Sequence, residues 1–131
     1  MQGGLTVRRA HRDDFARVRE LLDAPASDAR RERKRFRRLV STLREDLYVA
    51  EREGDPRLAG LVLVAYVRGL GPATAIVREL RGDAEVTALL LASVHRHAAA
   101  RGCGRVELHV DAETDATWEA GPRIRRRPVS S

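Results

Sequence analysis

The sequence predicts a single mixed α/β domain. Three observations predict it: apolar residues at helical spacing in three segments, strand-length apolar or alternating segments between them, and Gly, Pro or Asp at most of the joints. A chain of 131 residues suits one hydrophobic core and no second domain of comparable size. Leu5 and Val7 alternate with Thr6 and Arg8, which reads as the opening strand. A first helix starts at Asp13 or Asp14 and runs to Leu22, with Phe15, Val18 and Leu22 on one face and Ala24-Pro25 as its stop. A second runs from a Ser27 or Asp28 cap to about Glu45, turning Phe36, Leu39, Val40 and Leu43 inward and a row of arginines outward.

Leu47–Glu53 reads as the second strand and Gly54-Asp55-Pro56 as a turn. Leu58–Arg68 is apolar on both faces, the mark of a central strand covered on two sides. Ala73–Leu80 follows as another strand. A third helix spans about Ala84–Arg101, with Val86, Leu89, Leu90, Val94 and Ala98 inward and Gly102 suited to a left-handed stop. Arg105–Asp111 then alternates strictly, with Val106, Leu108 and Val110 on the buried face. Glu113–Ala120 reads as a short helix. The domain is expected to span 5–121, with 122–131 as a basic disordered tail.

Composition excludes several function classes. The longest apolar run, Leu61–Val67, is too short to cross a bilayer, and the first residues lack the apolar stretch of a signal peptide. A cytoplasmic protein without membrane contact is expected. Cys103 is the lone cysteine, so neither an internal disulfide nor a multi-thiolate metal site can form, and no metal is expected. The net charge of +6 is concentrated in two patches, 30–38 and 123–127, which together exceed the whole, leaving the rest of the chain net acidic. Arg30, Arg31, Arg33, Lys34, Arg37 and Arg38 of the first patch offer contacts to an acidic partner or to nucleic-acid phosphates. Few aromatic side chains are available for base stacking, so any such contact is backbone-directed. A high-GC codon bias accounts for the arginine excess equally well.

The element order and the segment Ile76–Leu90, IVRELRGDAEVTALL, resemble the GCN5-related N-acetyltransferase (GNAT) superfamily, whose members read Val-x-Pro-Glu-x-Arg-Gly-x-Gly-x-Gly/Ala-x-x-Leu-Leu there. Ile76, Glu79, Arg81 and Gly82 fall on matching positions, Arg78 replaces the proline, and Ala84 and Val86 stand at the two phosphate-loop glycines. The resemblance implies a GNAT-like acyl-CoA N-acyltransferase fold shortened at the C-terminus, a mixed sheet of about five strands with three or four helices. It further implies acetyl-CoA as cosubstrate, with Arg78, Arg81 and Thr87 near its phosphates, Gly82 in the loop and the main chain near Ile76 along the pantetheine. The acceptor is a small molecule or a protein amine.

Departures from the pattern have physical consequences. Val86 places a branched Cβ where glycine lets a phosphate reach the backbone. Asp83 is set to cap the third helix by accepting the N–H of Glu85 or Val86, and together with Glu85 it repels a polyanion. The family's tyrosine acid falls on Gly121, and Trp118 is the only ring nearby. Glu51 and Glu53 are the candidate bases on the second strand, against the commoner reading as surface carboxylates. Glu107, His109 and Asp111 form a row that suits a metal or a proton relay, though such rows are more often a solvated strand face. Three functions remain: an N-acetyltransferase with an eroded pyrophosphate loop and weak or absent activity, a non-catalytic binding or regulatory module, and phosphate-backbone binding through the arginine helix. A homodimer is expected if the strand after Cys103 is left at an open edge.

Overall fold

The computed structural model describes residues 4–23, 28–110 and 124–128. In chain order the elements are β1 (Leu5–Arg9), a 3-10 turn (Arg12–Asp14), α1 (Phe15–Leu22), α2 (Ala29–Ser41), β2 (Glu45–Arg52), β3 (Leu58–Val67), β4 (Thr74–Arg81), α3 (Ala84–Ala100), β5 (Arg105–His109) and β6 (Ile124–Pro128). They form a mixed α/β domain around one six-stranded sheet in the order β1-β2-β3-β4-β5-β6. All neighbours are antiparallel except β4 and β5, which α3 joins as a parallel crossover.

Local chemistry sets these bounds. The Asp28 side chain accepts the Arg31 N–H and starts α2, while Asp83 accepts the Val86 N–H and starts α3. Thr42 takes an extended conformation, so α2 stops at Ser41 instead of continuing to Glu45, and β2 begins at Glu45 instead of Leu47. Leu43 is therefore in the link, 77% exposed, and not on an inner helical face. Leu89 likewise lies largely at the surface of α3. Gly102, at φ +80°, takes the left-handed conformation expected after α3.

Each face of the sheet has its own core. α3 lays Val86, Leu90, Val94 and Ala98 on Ala50, Val62, Val64, Val77, Leu80, Val106 and Leu108. α1 and α2 cover the opposite face through Val18 and Phe36 against Leu47, Val49, Leu58 and Leu61. Gly60, in the middle of β3, makes the first core possible: a Cβ there would meet the Arg81 carbonyl oxygen and, at 2.5 Å, the Val86 side chain.

The C-terminal expectation needs correction. Ile124–Pro128 pairs antiparallel with β5, from Arg105↔Pro128 to His109↔Ile124, because the free main-chain groups of β5 provide a ladder for any extended segment. The segment 122–131 is thus not wholly a tail, and the β5 edge expected to join a second copy is covered by β6. The helix expected over 113–120, together with Asp111, Trp118 and Gly121, lies outside the described residues.

Candidate active site between β4, β5 and the first two helices

Two irregularities in the ladders shape β4. Leu63 pairs with Glu79 and Val64 with Val77, so Arg78 is an extra residue, a bulge facing no partner on β3. On the other side, the pairing with β5 runs only from Thr74↔Arg105 to Val77↔Leu108, whereas β4 continues to Arg81. The strands part after Val77, and Arg78–Arg81 present main-chain groups that no strand among the described residues takes on that side. Ile76 stands at the last part of the shared ladder, opposite Glu107.

The β4–α3 joint lies at the end of this opening. Gly82 adopts φ +137°, and a Cβ there would press on Val86 at 2.7 Å. Val86 is 1% exposed and faces the core, so its branches do not stand over the helix N-terminus as the sequence suggests. The room left by Gly60 and Gly82 draws that side chain inward. What occupies the helix end is the Asp83 carboxylate, whose Oδ1 accepts the Val86 N–H at 2.9 Å. Asp83 and Glu85 are both exposed, and Arg52 lies near them at 3.9 and 3.7 Å, loose contacts that neutralise little. Thr87 is 3% exposed and its hydroxyl donates to the Ala84 carbonyl at 3.2 Å, so it is turned away from any ligand at the helix end. Arg81 pairs with Glu79 at 3.3 Å on the face covered by α1 and α2, while Arg78 is exposed and without an ion pair among the described residues.

That same face carries a cleft of about 780 Å³ beside α1 and α2. Its floor is Leu47, Leu61 and Leu63, its helical wall includes Phe36 and Leu39, and Glu79 of β4 lies where cleft and opening meet. Arg19 of α1 reaches Glu32 of α2 at 3.1 Å.

The candidate bases lie elsewhere. Glu51 is gripped by Arg8 at 2.9 Å and by Arg17 at 3.1 Å, and hydrogen bonds from Arg8 hold its carboxyl below the usual range. Asp14 shares the Arg8 guanidinium at 2.9 Å and is lowered for the same reason, partly against its own burial. A carboxylate stabilised in that way makes a poor proton acceptor. Glu53 is exposed in the turn that follows β2. Neither is brought to the β4–β5 opening. His109 Nε2 meets Glu107 Oε1 at 2.9 Å, and no group of three or more metal-ligating side chains occurs among the described residues. Burial raises the Cys103 thiol, in keeping with a packing role.

One buried polar cluster escaped the sequence reading. Asp46, its side chain 3% exposed, receives the Tyr66 hydroxyl at 2.6 Å and the Tyr48 hydroxyl at 3.1 Å, with Arg9 at 2.8 Å and Arg101 at 3.5 Å. Burial, chiefly, pushes the Tyr48 hydroxyl up to about 12 and raises that of Tyr66 further. This cluster ties the start of β2 to the end of β3 and the C-terminus of α3, at the opposite end of that helix from Gly82.

No family model matches the sequence, and no curated protein matches it. Solved structures do match. Glucosamine-6-phosphate N-acetyltransferase from Arabidopsis thaliana superposes with a TM-score of 0.71 at 15% identity, covering 84% of this chain and 83% of that one. A transcriptional regulator from Bacillus halodurans gives 0.69 at 17% identity over 91% of this chain and 98% of that one. An aminoglycoside N-acetyltransferase in complex with CoA gives 0.68 at 11% identity over 92% and 79%. Identities this low speak for architecture alone, and the architecture this chain shares with them is the GNAT acetyltransferase fold.

Proposed function

We propose that the protein is an acyl-CoA-dependent N-acyltransferase that holds its cosubstrate mainly by the pantetheine arm and only weakly by the phosphates. The observation that carries this reading is the parting of β4 from β5 after Val77, beside the Arg78 bulge. An extended arm with amide groups suits a strand edge whose N–H and C=O groups lack a partner, and Arg78–Arg81 supply such an edge on the β5 side among the described residues.

The pyrophosphate end fits poorly. At a helix N-terminus, free N–H groups and the helix dipole attract anions, but here the Asp83 carboxylate takes the Val86 N–H and Glu85 adds a second negative charge. Arg78 is the nearest guanidinium in sequence that is left without an ion pair among the described residues. The acyl thioester would then lie toward Glu79 and the cleft. In the transfer, the acceptor nitrogen forms a C–N bond to the acyl carbon while the C–S bond breaks. The nitrogen gives up a proton and the departing thiolate gains one. No residue is assigned as acid or base. The exposed cations of α2 favour a second reading, contact with nucleic-acid phosphates, for which a steep loss of binding with salt is the signature.

Calorimetric titration with acetyl-CoA and with free CoA, at low and at moderate salt, tests the first reading. The expected result is binding of both in the high-micromolar to millimolar range with little change on adding salt. Tight binding that weakens steeply with salt would refute the weak phosphate grip. No heat at millimolar ligand would refute the transferase and leave a non-catalytic module on the same scaffold.

A further inference from the structure

The cleft beside α1 and α2 is electrically divided. Arg35 and Arg38 from α2 and Arg44 from the α2–β2 link line one side, and none has an ion pair among the described residues, unlike Arg19, which Glu32 engages. Two carboxylates share this side, Glu32 of α2, which Arg19 engages at 3.1 Å, and Glu45 of β2, so the three guanidiniums outnumber the one carboxylate that Arg19 does not hold. Glu79 lies on β4, two strands over from β2, the strand that α2 covers. Between these ends the floor is apolar, formed by Leu47, Leu61 and Leu63.

We infer that this cleft takes an amine whose apolar body carries an anionic group at the end away from the nitrogen. The ammonium lies toward Glu79, a carboxylate it shares with Arg81 at 3.3 Å, and the anion meets the guanidiniums of Arg35, Arg38 and Arg44. Guanidinium suits the role because its planar fork engages carboxylate or phosphate oxygens in pairs, and such charge-assisted bonds are stronger than neutral ones. An anion also avoids displacing an existing ion pair, since these three side chains have none to give up among the described residues. Which end of the ligand is acylated rests on the transferase reading above, whereas the binding preference does not.

The test uses the dipeptide Leu-Glu, its counterpart without carboxylates Leu-Gln amide, and N-acetyl-Leu-Glu. Each is titrated by NMR into the full chain and into an Arg35→Gln/Arg38→Gln double variant, both positions being exposed and away from the core. Leu-Glu should bind about tenfold more tightly than Leu-Gln amide, the scale of one or two charge-assisted bonds, and the double variant should lose that advantage. N-acetyl-Leu-Glu should bind more weakly than Leu-Glu for want of the ammonium. Equal affinity of Leu-Glu and Leu-Gln amide, or a preference that survives in the double variant, overturns the inference. Acetyl transfer from acetyl-CoA to Leu-Glu is followed separately. Preferential binding without transfer counts against the transferase reading and for the cleft, and transfer without a charge preference does the reverse.

Discussion

The two faces of the sheet are built on different principles. On the α3 face, Val62, Val64, Val77, Leu80, Leu90, Val94 and Val106 are completely shielded from water, and the joints are so tight that Gly60 and Gly82 leave room only for Val86. On the other face, α1 and α2 cover β1 to β3 incompletely, the cleft remains beside them, and Arg8, Asp14, Arg17 and Glu51 hold the edge by charge. The dry face fixes where the β4–α3 joint lies, while the open face leaves a polar-rimmed space beside the same strand. A fold of this size thereby assigns dense packing to one side of a sheet and an open cleft to the other.

The sharpest way to break this comparison is to hollow out each face in turn. Leu90→Ala should cost roughly 2–5 kcal/mol in a urea titration, as a fully buried leucine does. Leu63→Ala, on the half-buried cleft floor, should cost less than half of that, and equal losses would erase the distinction. Asp46→Ala should cost about 3 kcal/mol, because two tyrosine hydroxyls and two guanidiniums lose their shared acceptor, with Arg9 and Arg101 able to recover some hydration.

Acid sharpens the contrast. Asp14 and Glu51 have folded-state pKa values lowered by Arg8, so their contribution to stability is fully present above the ordinary carboxylate range and is lost as the pH falls through it toward the lowered values. Urea midpoints should be flat near neutrality and drop in that acid window, and Arg8→Gln should flatten the drop while lowering the neutral plateau. The smallest expected effect lies at the helix end. Asp83→Ser with Glu85→Gln keeps a capping oxygen and removes both charges, which should leave stability nearly unchanged and tighten CoA binding by roughly threefold to thirtyfold.

Periodicity made the helices, most of the strands and the Val86, Leu90, Val94, Ala98 face legible in the sequence, because burial of one stripe dictates spacing. The Asp83 cap was also legible, since capping is a local event between residues three apart. The end of α2 was not: Leu43 continues the apolar spacing, yet the backbone turns at Thr42 to deliver Glu45 and Asp46 to β2. Val86 reads as an obstruction in a linear motif, and only the room left by Gly60, 26 positions earlier, shows that it points inward. An isolated glycine within an apolar strand was the available signal. Glu51 reads as a free strand carboxylate until β1 and α1 bring Arg8 and Arg17 to it. The Arg78 bulge, the divergence of β4 from β5 and the Asp46 cluster depend on pairings across the sheet, which no single segment encodes.

The most direct test of the account compares acetyl-CoA with acetyl-pantetheine, which lacks the nucleotide and its phosphates, in calorimetric titrations of the same protein. If the strand opening holds the arm and the Asp83-capped helix contributes little, the two should bind within a few-fold of each other. A loss of a hundredfold or more for acetyl-pantetheine would place the main grip on the phosphates and contradict the account.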